Sequence, residues 1–186
     1  MTMKADYSIR PDYKPDESML NERVVRISRV SKVHKGGRDL SFNAIVVVGD
    51  GDGHVGVGMG KAKAVPDAVR KGNTNARKNM ITVPLAQTTI PHEITATFGG
   101  SLVMMRPAPP GTGVIAGGAV RAVVELAGIK DIVTKIRHST NPVNSVKAAL
   151  NGLAMLQDPE QTLMRRRRVA ESEMPRRIDR RVPRRK

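Results

Sequence analysis

Lys61 and Lys63 close a glycine-spaced run, GHVGVGMGKAK, just ahead of Pro66 and Asp67. Ammonium groups beside the free N–H groups of a helix start attract anions, so this pairing points to phosphate binding. The run ends in GxxxGK, one residue short of a nucleotide-binding phosphate loop. Ala62 stands where a Ser or Thr would hold magnesium, so nucleotide hydrolysis is not indicated. The helix predicted from about Val65 to Met80 sets Arg70, Lys71, Arg77 and Lys78 opposite an apolar stripe of Val65, Val69, Gly72, Ala76 and Met80. These cations are either phosphate contacts or the solvated face that any amphipathic helix carries. The helix alone leaves both readings open.

A second glycine-rich stretch, Gly111-Thr112-Gly113-Val114-Ile115-Ala116, fits the loose dinucleotide pattern GxGxxA. PAPP interrupts the strand-to-helix turn. The acidic residue expected at the end of the next strand is missing, because Asp131 stands at that strand's start. A loop that lets a helix pack closely explains it better. His34, His54, His92 and His138 are scattered without metal spacing, and the chain has no cysteine to supply a thiolate or a disulfide. No nucleophile, base or paired-carboxylate pattern stands out. The sequence therefore indicates no enzyme, no cofactor, no metal and no small-molecule substrate.

The elements that must position these residues form an α+β chain of two small domains. Residues 1–19 read as a disordered arm. Residues 20–83 read as a β-β-β-α unit. Its strands are Leu20–Val33, Leu40–Val48 and Val55–Met59, its helix the cationic one, and HKGGRD is the tip of the first hairpin. The expected core face is Phe42, Ala44, Val46, Val48, Val55, Val57 and Met59, packed on the Val69/Ala76 stripe. Gly56, Gly58 and Gly60 then fall on the other face, where glycine signals a close approach to the backbone. ITVPLAQTTIPH is the expected boundary. Residues 84–160 read as β-β-α-β-α with a core of their own: strands Ile94–Phe98, Ser101–Arg106 and Ile132–Ile136, and helices from Val114 to Ala127 and after Asn141-Pro142. Gly128 caps the first helix and Asn141 the second. Residues 161–186 read as a disordered basic tail that orders on RNA or stays solvated.

Charge separates these parts. The chain carries +15 over 186 residues: −1 in residues 1–19, +7 in 20–83, +1 in 84–164 and +8 in 165–186. A charge so large and so unevenly placed points to nucleic acid or an anionic surface. With aromatics at 2%, stacking on bases is not the mode of binding. No apolar run is long enough to span a membrane, and the start of the chain lacks a signal peptide's apolar core, so the expectation is a cytoplasmic protein.

RVSKVHKGGRDLSFNAIVVVGDGDGHVGVGMGKAKAVPDAVRKGNTNARKNM and FGGSLVMMRPAPPGTGVIAGGAVRAVVELAGIKDIVTKIRHSTNPVNSVKAALNGL together resemble bacterial-type protein five of the small ribosomal subunit. The similarity runs from about Leu20 to Leu156. It implies a first domain related to the double-stranded RNA-binding fold and a second with a left-handed βαβ crossover. It further implies binding to small-subunit ribosomal RNA, roles in assembly and decoding accuracy, and contacts with small-subunit proteins four and eight. The implied hairpin tip, Ser31 to Arg38, reaches the RNA between head and body, near the spectinomycin site. His34 stands where an apolar residue is expected. Combined with the charge pattern, the expected RNA contacts are Arg29, Lys32, Lys35, Arg38, Lys61, Lys63, Arg70, Lys71, Arg77 and Lys78. Gly36 and Gly37 shape the tip, a flat glycine face is presented to the duplex, and Arg165, Arg166, Arg167 and Arg168 add contacts from the tail. The alternative is a non-ribosomal regulator that binds double-stranded RNA.

Overall fold

The computed structural model describes residues 20–159 and 162–167. The expectations for residues 1–19 and for the tail beyond 167 lie outside the described residues. The chain divides into one compact unit ending at Leu156 and a short second unit from Gln157.

In the first unit, β1 (Asn21–His34) and β2 (Gly37–Gly49) form a long antiparallel hairpin closed by Lys35 and Gly36. Gly36 has φ +108°, which an L side chain rarely adopts. β3 (His54–Ala62) pairs with β2 only as far as Phe42. Beyond Phe42 the hairpin has no third strand beside it, a length of about 17 Å at 3.3 Å per residue. α1 (Val65–Lys78) follows, and β4 (Met80–Thr82) returns to pair with β3, giving the order β1-β2-β3-β4.

Which face of this sheet α1 covers differs from the sequence expectation. Ala44 pairs with Gly60, Val46 with Gly58 and Val48 with Gly56. Directly paired residues share a face, so the three glycines lie with Ala44, Val46 and Val48, and Val55, Val57 and Met59 point the other way. α1 lies on the glycine face. A Cβ on Gly56, Gly58 or Gly60 would run into the main-chain oxygen of Ala76, Gly72 or Ala68 respectively. The close approach signalled by the glycines is the protein's own helix. The helix residues buried there are Ala68, Gly72 and Ala76, all small, which lets the backbones meet.

The second part of this unit contains β5 (Ile94–Phe98), β6 (Ser101–Pro107), β7 (Val114–Ile115), α2 (Gly118–Leu126), β8 (Ile132–His138) and α3 (Pro142–Ala154). The sheet order is β5-β6-β8-β7, and β7 runs parallel to β8 through the α2 crossover. The helix expected from Val114 starts at Gly118, because Val114 and Ile115 are taken into the sheet. The caps fall as expected. Gly128 has φ +85°, and the Val143 N–H donates to Asn141 Oδ1 at 3.2 Å.

The two halves share a core, contrary to the expectation of one core each. Val47 and Val55 from the first sheet lie in a single buried cluster with Val83 and Ile90 of the connection and with Val103, Val123, Ile132 and Leu153. A smaller cluster of Ala44, Val46, Val48, Ala68 and Ala76 sits under α1. β2 is thus buried on both faces, and its unbroken apolar run Ala44–Val48 is the pattern of such a strand. The β2–β3 turn locks the halves together. Gly51 N–H donates to Leu126 O and Gly53 N–H to Ala127 O, each at 3.1 Å. Asp50 holds that turn: its Oδ1 accepts from the main-chain N–H of Asp52 and of His54, and its Oδ2 meets His54 Nδ1 at 2.6 Å.

In the short second unit, residues 162–167 are helical. Thr162 N–H donates to Asp158 O at 3.0 Å. Asp158-Pro159 is a helix-start signal that the basic composition of the tail masked. The tail expected to be unstructured from residue 161 therefore contains a helical segment.

Candidate nucleic-acid interface

Four of the expected contacts converge. The end of β3 supplies Lys61 and Lys63, and the early turns of α1 supply Arg70 and Lys71. With Ser41, Ala62 and Asp67 they line an open cleft of about 570 Å³. Lys71 Nζ donates to the Lys61 carbonyl at 3.4 Å, drawing helix and strand end together. The four cations are all exposed. Cations that converge on a water-filled cleft raise the local concentration of polyanion and release counterions when a phosphate backbone enters. Pro66 in the first turn of α1 gives up an N–H that has no helical partner.

Arg77 and Lys78 stand in the last turn of the same helix, where their charge complements the negative end of its dipole. Seven residues, about 10 Å of helix rise, separate Arg77 from Arg70, so the helix presents a basic edge running away from the cleft.

Lys32, Lys35, Gly36, Gly37 and Arg38 are all exposed on the part of the hairpin that lacks a third strand, and Arg29 is exposed at its inner limit, opposite Phe42. Arg29 pairs with Phe42 and Val33 with Arg38, which sets Arg29 and Arg38 on the α1 side of the sheet. Lys32 pairs with Asp39 on the opposite side. His34 Nε2 lies 2.8 Å from Asp39 Oδ2, so the unexpected histidine finds a carboxylate across the hairpin. Val33, within the expected tip, and Leu40, just after it, are absent from the expected contacts yet are 70% and 51% exposed between the cations. Their place in the period-two alternation on a hairpin without a covering helix was the available signal. The glycine face expected to meet RNA is occupied by α1 and is not part of this surface. Arg165, Arg166 and Arg167 are exposed on the short helix, and Arg168 is outside the described residues.

The second glycine-rich loop is already occupied by a carboxylate of this chain. Asp131 Oδ1 accepts from the Gly113 N–H at 2.9 Å and the Gly111 N–H at 3.0 Å. Hydrogen bonds from the Gly113 N–H, then the Thr88 side chain, then the Gly111 and Thr112 N–H groups hold this carboxyl below the usual aspartate range. A pyrophosphate would need the donors that Asp131 uses. Glu125 plays a comparable bridging role on α2. The hydrogen bond from Arg121 (Nε–Oε1 2.6 Å), helped by Arg23 of β1, outweighs burial and lowers its pKa.

A cationic arm and a cationic cleft, carried by an α+β body with no grouping of metal ligands among the described residues, define a nucleic-acid-binding protein. Residues 20–84 match the N-terminal domain of ribosomal protein S5, and residues 96–167 match its C-terminal domain. The small ribosomal subunit protein uS5 of Chloroflexus aurantiacus is 53% identical over 171 residues, which span 92% of this chain and 96% of that protein. The chain belongs to the ribosomal protein S5 family.

Proposed function

We propose that this chain is a structural constituent of the small ribosomal subunit in the cytoplasm and binds small-subunit ribosomal RNA without catalysing a reaction. The observation that carries the binding mode is the convergence of Lys61, Lys63, Arg70 and Lys71 on one cleft, beside a hairpin whose outer part is exposed on both strands. Duplex RNA is recognised through its phosphates and 2′-hydroxyls, because its major groove is too narrow for side chains. A rigid edge of cations suits that mode without aromatic residues. On this reading residues 20–83 supply the main RNA grip. Residues 84–160, nearly neutral, meet protein neighbours as well as RNA.

The finer reading follows the family resemblance. The hairpin tip reaches the RNA between head and body, near the spectinomycin site. Proteins four and eight are neighbours, and the chain supports assembly and decoding accuracy. The independent RNA-binding regulator is set aside, since the family match continues through a second half for which such a regulator has no use. Sedimentation of a lysate through sucrose at moderate and high salt tests the proposal. The protein is expected to travel with the small subunit at both salts. Recovery as free protein at modest salt would overturn it.

A further inference from the structure

The hairpin tip sets a histidine against a carboxylate among its cations. His34 pairs with Gly37 and Lys32 with Asp39, so Lys32, His34 and Asp39 share the face turned away from α1. His34 Nε2 meets Asp39 Oδ2 at 2.8 Å along the diagonal of that face. The imidazole side chain is 42% and the carboxylate side chain 77% exposed, so both are open to a ligand that covers the tip. The other charged groups of the tip are Lys32, directly opposite Asp39, Lys35 in the turn, and Arg38, which points to the α1 side. β3 ends opposite Phe42, so it brings no further charge beside the pair. Asp39 is the one acidic residue between Ser31 and Ser41.

We infer that His34 and Asp39 make the tip's grip on RNA proton-dependent, tightening it when the imidazole is charged. With a neutral imidazole, the charges of Lys32 and Asp39 on this face cancel, and the carboxylate repels an incoming phosphate. With an imidazolium, Asp39 is paired through a charge-assisted hydrogen bond and the face becomes positive. A phosphate brought to this face stabilises the imidazolium, so RNA binding takes up a proton there. The coupling is reciprocal: a complex that holds the proton more tightly is itself tighter when the proton is present. The added affinity is therefore fully present below histidine's titration range and is lost as pH rises through it. Phosphodiesters stay ionised throughout that range, so the change belongs to the protein. The inference rests on the reading of the tip as an RNA contact and adds a control to that contact.

The test is binding of the purified full chain to small-subunit ribosomal RNA at about pH 6 and about pH 8, on either side of histidine's ordinary titration. Calorimetry near neutral pH in two buffers of different ionisation enthalpy counts the protons taken up. The parent is expected to bind about fivefold to tenfold more weakly at the higher pH, the size of an ordinary coupling between two sites. Its slope of log affinity against log salt should be steeper by about 0.7 to 0.9 at the lower pH, one more phosphate contact. His34→Gln keeps a hydrogen-bond donor for Asp39 but cannot take a charge. It should bind at both pH values as the parent does at the higher one, and take up fewer protons. Asp39→Asn should strengthen binding at the higher pH. A pair that only braces the hairpin would change the melting temperatures of these variants and leave proton uptake as it is in the parent. Equal proton uptake and equal pH dependence in the parent and His34→Gln would overturn the inference, since the protons would then be bound elsewhere. A parent that binds the RNA at neither pH would overturn the RNA reading of the tip, and this inference with it.

Discussion

Asp131 shows how much depends on where a single carboxylate lies. From sequence it is the acid in the wrong place for a dinucleotide site. In the structure it is the ligand of the loop that such a site would use. Because its pKa is lowered in the fold, its stabilisation is fully present at neutral pH and is lost as pH falls below its ordinary value of 3.8. Asp131→Ala should therefore lower the melting temperature at neutral pH, with the gap to the parent narrowing in acid below pH 3.8. Melting curves at the two pH values would check this, and a gap independent of pH would refute the electrostatic role. The same residue bears on function: purified protein should show no saturable nucleotide binding at Gly111–Gly113.

Among the elements, the β3–α1 contact is the most demanding. Three glycines face three small helix residues, and any Cβ on the strand side meets helix backbone. Gly58→Ala is expected to destabilise by about 3 kcal/mol or more, because backbone cannot move aside as a side chain can. Gly118→Ala is the contrast. Its Cβ would have nothing within 4 Å at the start of α2, and the substitution should be neutral or stabilising by up to about 1 kcal/mol. Chemical denaturation of both variants checks the pair. Much of this level was legible in the sequence: the long hairpin, α1, the caps at Gly128 and Asn141, and the strands of the second half follow from alternation and capping residues. What was not legible has physical causes. Period-two alternation says which residues of a strand share a face but not which face a helix takes, so it leaves the side of the glycines open. β4 and β7 are three and two residues long, too short for any periodicity, and their pairing is set by partners distant in the chain. Lys61, Lys63, Arg70 and Lys71 could be chosen by charge and neighbourhood, but the cleft they share depends on how α1 folds back over β3.

At the scale of the whole molecule, the first unit is two sheets held by one core and one clasp. Gly128 sits at φ +85°, and a Cβ there would run into the main chain of Gly51. Gly128→Val should therefore destabilise residues of both halves together, and the parent should unfold in one transition when followed by circular dichroism and by amide exchange. Two separated transitions would show the halves to be independent. A joined body matters for RNA, because it fixes the hairpin arm and the α1 cleft on one frame and lets phosphate contacts at both add.

The measurement that bears most directly on the central claim is the salt dependence of binding between the purified full chain and small-subunit ribosomal RNA, for the parent and for Lys61→Glu with Lys63→Glu. Each phosphate contact contributes about 0.7 to 0.9 to the slope of log affinity against log salt. The account predicts a weaker variant whose slope is shallower by about 1.4 to 1.8, two contacts' worth. Unchanged affinity and slope would remove the cleft from the RNA-binding surface and contradict the account.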